Sequence, residues 1–199
     1  GDGEETWEGG RTEDVDLLFI HQPAGDYIAG YRQLEKAYRE GKARSIGISN
    51  FHGEKLQKLL DAAEIMPHVI QLEAHPYCTQ KETMQALAPF GTRLMAWYPL
   101  GHGDKKLMQE EIFVSLAEKY GKTPAQIILR WHTQKGFIVI PGSANPDHIR
   151  ANADIFDFTL TDGEMEKIAA LDKNICYYNA TPEQEEAYAG MYPDMDGQK

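Results

Sequence analysis

Five short apolar runs, each followed by a stretch with helical period, constrain this chain more than any other feature. The runs are Val15 to Ile20, Ala43 to Ile48, Val69 to Leu72, Leu94 to Trp97 and Phe137 to Ile140. Near-continuous apolarity over so few residues suits parallel strands covered on both faces. Between them, Tyr31, Leu34 and Tyr38 recur at steps of three and four before Gly41, a helix-ending glycine. Leu56, Leu59, Leu60 and Ala63 repeat that spacing. Helix starts are the sharpest local signals. Thr123-Pro124-Ala125-Gln126, Thr161-Asp162-Gly163-Glu164 and Thr181-Pro182-Glu183-Gln184 all read as capping boxes, and Asn145-Pro146 is a cap followed by proline. Strands separated by helix-sized segments are βα units, whose crossovers are right-handed.

Five such units form either an open doubly wound sheet or part of a (β/α)8 barrel. The polar residues separate the two. His21 follows the first run, Ser49 and Asn50 the second, Glu73 and His75 the third, Tyr98 the fourth and Ser143 the fifth. Chemistry-bearing residues at the C-terminal ends of several strands are the barrel pattern. A doubly wound nucleotide-binding sheet should carry a glycine-rich loop after its first strand, and Ile20-His21-Gln22-Pro23 is not one. The expected fold is an incomplete α/β barrel over residues 14–175, with a C-terminal tail at 176–199. Residues 1–13 hold one large apolar side chain, Trp7, among glycines and acids, and read as a flexible leader.

Charge narrows the partners. Lys and Arg number 20 against 31 Asp and Glu, a formal net charge of -11, and no basic stripe runs through the sequence. Phosphate backbones are bound by clustered cations, so nucleic acid is excluded as a partner. No apolar run approaches the ~20 residues of a membrane-spanning helix, and no secretory signal is read at the acidic N-terminus. Cys78 and Cys176 match no CxxC spacing. The expectation is a cytoplasmic protein with both thiols reduced. No metal site is expected, since His21, His75, His102, His132 and His148 fall on separate elements without ligand spacing.

Several segments together resemble the aldo-keto reductase family. They are Asp16 to Pro23, Gly47-Ile48-Ser49-Asn50-Phe51, Gln71-Leu72-Glu73-Ala74-His75-Pro76-Tyr77, Ala96-Trp97-Tyr98-Pro99-Leu100-Gly101, and Ile140-Pro141-Gly142-Ser143 followed by Ile149 and Asn152. Any one is a weak signal; five in family order and spacing are a strong one. The resemblance implies a (β/α)8 barrel that carries hydride from NADPH or NADH to a small aldehyde or ketone. It assigns His21 to the substrate carbonyl, a role that suits imidazole, which donates from one nitrogen while neutral. It assigns Ser49, Asn50 and Gln71 to the nicotinamide carboxamide, which needs both donors and acceptors. Trp97 stands where the family places a tyrosine that stacks on the nicotinamide, and any flat aromatic face serves. Tyr98, Leu100 and Gly101 beside it are assigned to the cofactor as well, while Glu73, His75 and Tyr77 read as ordering the barrel rim.

The sequence departs from the family in two further places. Where the family offers a Lys and an Arg to the cofactor's 2′-phosphate, this chain has Gly142 and His148, leaving Ser143, Asn152 and the helix start at Asn145. The family's Asp, its proton-donating Tyr and the Lys that tunes that Tyr have no counterpart here. Three readings follow: a reductase chain of low activity by itself, a cofactor-binding or interaction module, and a remnant without activity. Two unpaired sheet edges lead to the further expectation of a homodimer. In the tail, Cys176, Tyr177, Tyr178, Tyr188, Met191 and Tyr192 either line a substrate pocket or pack on the rim.

Overall fold

The computed structural model describes residues 14–190, so the leader and the positions of Met191 and Tyr192 lie outside the described residues. Five strands form one parallel sheet: β1 (Leu18–Ile20), β2 (Ile46–Ser49), β3 (Val69–Glu73), β4 (Arg93–Trp97) and β5 (Ile138–Val139). Their order in the sheet is their order in the chain. With right-handed crossovers, an order that never reverses puts the helices on one face, which is how a barrel wall is built; a doubly wound sheet reverses at its middle.

The helices follow the sequence signals. Helix α1 (Tyr27–Arg39) ends before Gly41, whose φ of 73° is the left-handed conformation that a helix exit requires. Next come α2 (Gly53–Ala62), α3 (Lys81–Leu87), α4 (Lys105–Met108) and α5 (Glu111–Tyr120). The capping boxes at Thr123, Thr161 and Thr181 open α6 (Pro124–Gln134), α8 (Asp162–Ala169) and α9 (Pro182–Ala187), and Asn145 caps α7 (Pro146–Ala153).

Register sorts the strand side chains into two faces. Ile20, Ile48, Ile70 and Leu94 form one row across four strands, and Leu72, Ala96 and Val139 form the next. These pack against the helices in a core that also takes in Tyr31, Leu56, Leu59 and Leu87. A second core joins α5, α6 and α8 around Trp131, Phe113, Ile127 and Ile168. The opposite face carries the rows Phe19, Gly47, Val69, Arg93 and Ser49, Gln71, Met95, Ile138. Gly47 is there for lack of room: a Cβ would sit 2.6 Å from the Val69 carbonyl oxygen.

Two expectations are corrected here. The apolar runs implied cover on both faces, but the helices cover one; the other stays partly open, with Ile138 38% and Ile140 46% exposed. The outer strands are also shorter than their apolar runs. Val15 to Ile20 pairs continuously only from Leu18, with Val15 forming an isolated bridge to Ala43, and Phe137 to Ile140 pairs only at Ile138 and Val139. Among the described residues each edge strand has one neighbour, so half its backbone groups gain nothing from staying extended.

The thiols are a third correction. Cys78 and Cys176 are joined in a disulfide with Cα atoms 5.3 Å apart. Their separation of 98 residues gave no hint of it. The chain after α8 folds back over the C-terminal end of β3, where Lys173 and Ile175 each donate a backbone N–H to the Tyr77 carbonyl.

Candidate active site

The C-terminal ends of the strands deliver their polar residues to one rim. His21, Ser49, Asn50, Gln71, Trp97 and Tyr98 line a single cavity of about 280 Å³, closed on one side by Tyr178 and Tyr188 from the tail. A second cavity of about 510 Å³ shares Gln71, Trp97 and Tyr98 and extends past Leu100 to Ile140 and Gly142. A third, of about 370 Å³, runs under the tail between Asn50, Trp97, Glu73, Gln80 and Cys176. Trp97 lines all three.

Backbone conformation aims these side chains. Among the described residues the non-glycine positions with positive φ are Asn50 (61°), Gln80 (55°), Tyr98 (49°), His102 (53°) and Asn174 (51°). Every one of them lines one of the three cavities. The left-handed region is costly for any residue with a Cβ, and such residues gather where surrounding contacts hold a site in shape.

Asn50 fastens three strand ends together. Its Nδ2 donates to the His21 carbonyl over 3.4 Å, and its Oδ1 accepts from the Trp97 indole Nε1 over 3.1 Å. The indole is thereby fixed at its edge, and the rings of Tyr98 and Tyr178 stand roughly perpendicular to it, with centroids 4.7 Å and 5.8 Å away. The sequence reading gave Asn50 a ligand role and missed this one.

Glu73 is the second residue whose part was hidden. Its carboxylate is buried and accepts from His75 Nε2 over 3.0 Å and from the backbone N–H groups of Tyr177 and Tyr178 over 2.7 and 2.9 Å. Burial pushes its pKa up, but the His75 ring and the two amides outweigh burial and hold it below the usual carboxylate range. Rim ordering therefore extends to the tail, 104 residues further along the chain. On the other side, Lys55 of α2 donates to the Pro23 carbonyl and pairs with Glu185 of α9 over 2.6 Å, seating that helix beside the cavities.

The remaining sequence candidates sit further out. Gly101 is buried under the rim against Leu107 and the Tyr177 ring. Ser143 accepts from the Asn145 amide, while Asn145 caps α7. His148 is exposed and Asn152 half-buried on α7, and neither lines the three cavities. Arg150, the one cation of that helix, is paired with Asp147. Among the described residues no Lys or Arg lines the three cavities, whereas Glu73 and Glu185 line one of them. This rim can hold a planar amide between Ser49, Asn50 and Gln71 beside an aromatic ring, and it offers little to a phosphate.

Comparison with known proteins identifies the family. The pattern of the Aldo/keto reductase family matches residues 4–173. Glyoxal reductase of Bacillus subtilis is 47% identical over 161 residues, covering 80% of this chain and 58% of that protein. Methylglyoxal reductase DkgA of Yersinia pestis is 42% identical, covering 79% and 58%. This chain thus spans less than two thirds of the curated relatives it matches. A crystal structure of a Gox0644 variant in complex with NADPH superimposes with a TM-score of 0.79 at 36% identity, over 86% of this chain and 64% of that one.

Proposed function

The chain is a member of the aldo/keto reductase family, and from that premise we propose that its rim takes part in hydride transfer between a nicotinamide cofactor and a small aldehyde or ketone. The names of the relatives, glyoxal and methylglyoxal reductase, point to 2-oxoaldehydes as the substrate class. One observation carries the reading: Ser49, Asn50, Gln71, Trp97 and His21, from the ends of four different strands, line one cavity. The donor set fits a nicotinamide. When bound, the reduced ring supplies the hydride. Ser49, Asn50 and Gln71 hold the carboxamide, Trp97 supports the ring, and His21 donates a hydrogen bond to the carbonyl oxygen as negative charge develops there.

The fit is poor at the phosphate end. Gly142 offers no side chain, His148 is exposed, and the one arginine of α7 is engaged with Asp147. Binding is therefore expected to be weak and to differ less than tenfold between NADPH and NADH. Quenching of Trp97 fluorescence on titration measures both. Preference for NADPH by tenfold, about 1.4 kcal/mol, overturns the phosphate argument. Absence of binding by either cofactor overturns the oxidoreductase reading and leaves an interaction module.

The open sheet face adds a second part to the proposal. Phe19, Met95, Ile138 and Ile140 are only partly buried on a face that a closed barrel turns inward, and among the described residues β1 and β5 are unpaired on one side. Two copies of the chain cover this face by pairing. Sedimentation at micromolar concentration should give a dimer; a monomer with a rigid near-ultraviolet aromatic signal excludes it.

A further inference from the structure

The tail is strapped to the rim by one covalent bond and two ionic hydrogen bonds. Cys176 is tied to Cys78, and the next two residues give their backbone N–H groups to Glu73. That geometry sets Tyr178 against the Trp97 indole. Gln80 holds the knot, donating from Nε2 to the Glu73 carbonyl over 2.8 Å and lying 3.4 and 3.6 Å from the two sulfurs. The two sulfurs differ in access: Cys78 is 1% exposed, whereas Cys176 is half-buried and faces the cavity of about 370 Å³ under the tail.

We propose that the Cys78–Cys176 bond is a thiol-exchange site at which a dithiol reductant releases the strap Cys176 to Tyr178 from over Trp97 and Asn50. A thiolate of the reductant attacks the Cys176 sulfur from the cavity. The sulfur–sulfur bond breaks, and Cys78 leaves as a thiolate that takes a proton. The second thiol of the reductant then attacks the mixed disulfide and closes its own ring, freeing Cys176 as a thiol. Two electrons and two protons pass to the protein, and the reductant is left as a disulfide. The contacts of Glu73 keep the tail returning to the rim, so reduction loosens the strap without detaching it. What the strap covers rests on the reading of Trp97 and Asn50 as cofactor-facing; the bond and its release do not.

Two measurements on the full chain test this. Thiol titration in denaturant should find no free thiol in air-purified protein and two after dithiothreitol. Hydrogen exchange should then show the Tyr177 and Tyr178 amides exchanging at least tenfold faster in the reduced protein, with the sheet amides of Leu72 and Ala96 unchanged. Cys176→Ser should exchange like the reduced wild type; if that variant does not fold, the reduced wild type alone decides. Two free thiols before reduction, or tail amides equally protected before and after it, overturn the proposal. Cofactor titration of both forms is a separate readout: tighter or faster binding after reduction extends the strap to the site, and failure of all binding counts against the functional reading alone.

Discussion

Assayed alone with a 2-oxoaldehyde or an aromatic aldehyde and either nicotinamide cofactor, the 199-residue chain is expected to turn over on the order of 10⁻² per second or more slowly, against a usual enzyme value of ~10 per second. General acid catalysis supplies ~10²- to 10⁴-fold in rate, and it needs a donor whose pKa lies near the working pH. Tyr98, Tyr178 and Tyr188 are the phenolic hydroxyls around the His21 cavity among the described residues. Tyr178 is tuned the wrong way: its hydrogen bond with the Tyr188 hydroxyl, followed by burial, pushes it up to about 12. Among the described residues no lysine lines the cavity to lower it. His21 remains as a hydrogen-bond donor to the carbonyl. Steady-state assays of the wild type and His21→Ala test this: turnover of ~1 per second or more means that the chain holds an effective proton donor, His21 itself if His21→Ala abolishes it and another group if it does not.

Acid should weaken the fold well before its carboxylates titrate. His132 in α6 is fully buried; its Nε2 donates to the Pro99 carbonyl over 3.2 Å, and its Nδ1 has no partner among the described residues. Burial pushes its pKa down to about 3. The unfolded chain takes up that proton below its ordinary value of about 6.5, whereas the folded chain does not. Between those values the unfolded state binds more protons, so stability falls with pH at about 1.4 kcal/mol per unit, or about 3 kcal/mol by pH 4.5. Against a total of about 5–15 kcal/mol, that is a large loss. Glu35, Glu73 and Glu164 have lowered values in the fold, Glu164 down to about 2, so their contribution is lost only below about pH 4.5, the ordinary value. Urea midpoints from pH 7 to 4.5 should show the slope, and His132→Gln should flatten it. If that variant does not fold, the His132 ring resonances of the wild type decide: protonation in the native state near pH 6 removes the effect.

Much of this was readable from residue order alone. The threonine caps at Thr123, Thr161 and Thr181 are local contracts between a hydroxyl and a side chain three residues on, so they survive any tertiary context. Strand existence was equally plain, because apolar runs bounded by helical period have few other uses. Strand length was not: how far β1 and β5 extend depends on neighbours that an edge lacks. The candidate residues at strand ends were chosen through a family resemblance as well as position. The contacts that shape the rim were hidden for one physical reason. The Asn50 to Trp97 bond spans 47 residues, Lys55 to Glu185 spans 130, and the disulfide spans 98. Pairings at such separation leave no periodicity, and each partner has an unremarkable local reason to be where it is. His132 is the extreme case, a histidine whose sequence neighbours say nothing of its complete burial.

The five left-handed residues around the cavities set a trade between durability and use. Each costs ~1–3 kcal/mol, and all of them sit at one end of the sheet, while the apolar rows and buried helix faces carry the other. Selection for heat resistance alone would replace Tyr98 and His102 with glycine, since that relieves strain without touching the core. The resulting protein would be harder to melt and would have lost two side chains that wall these cavities.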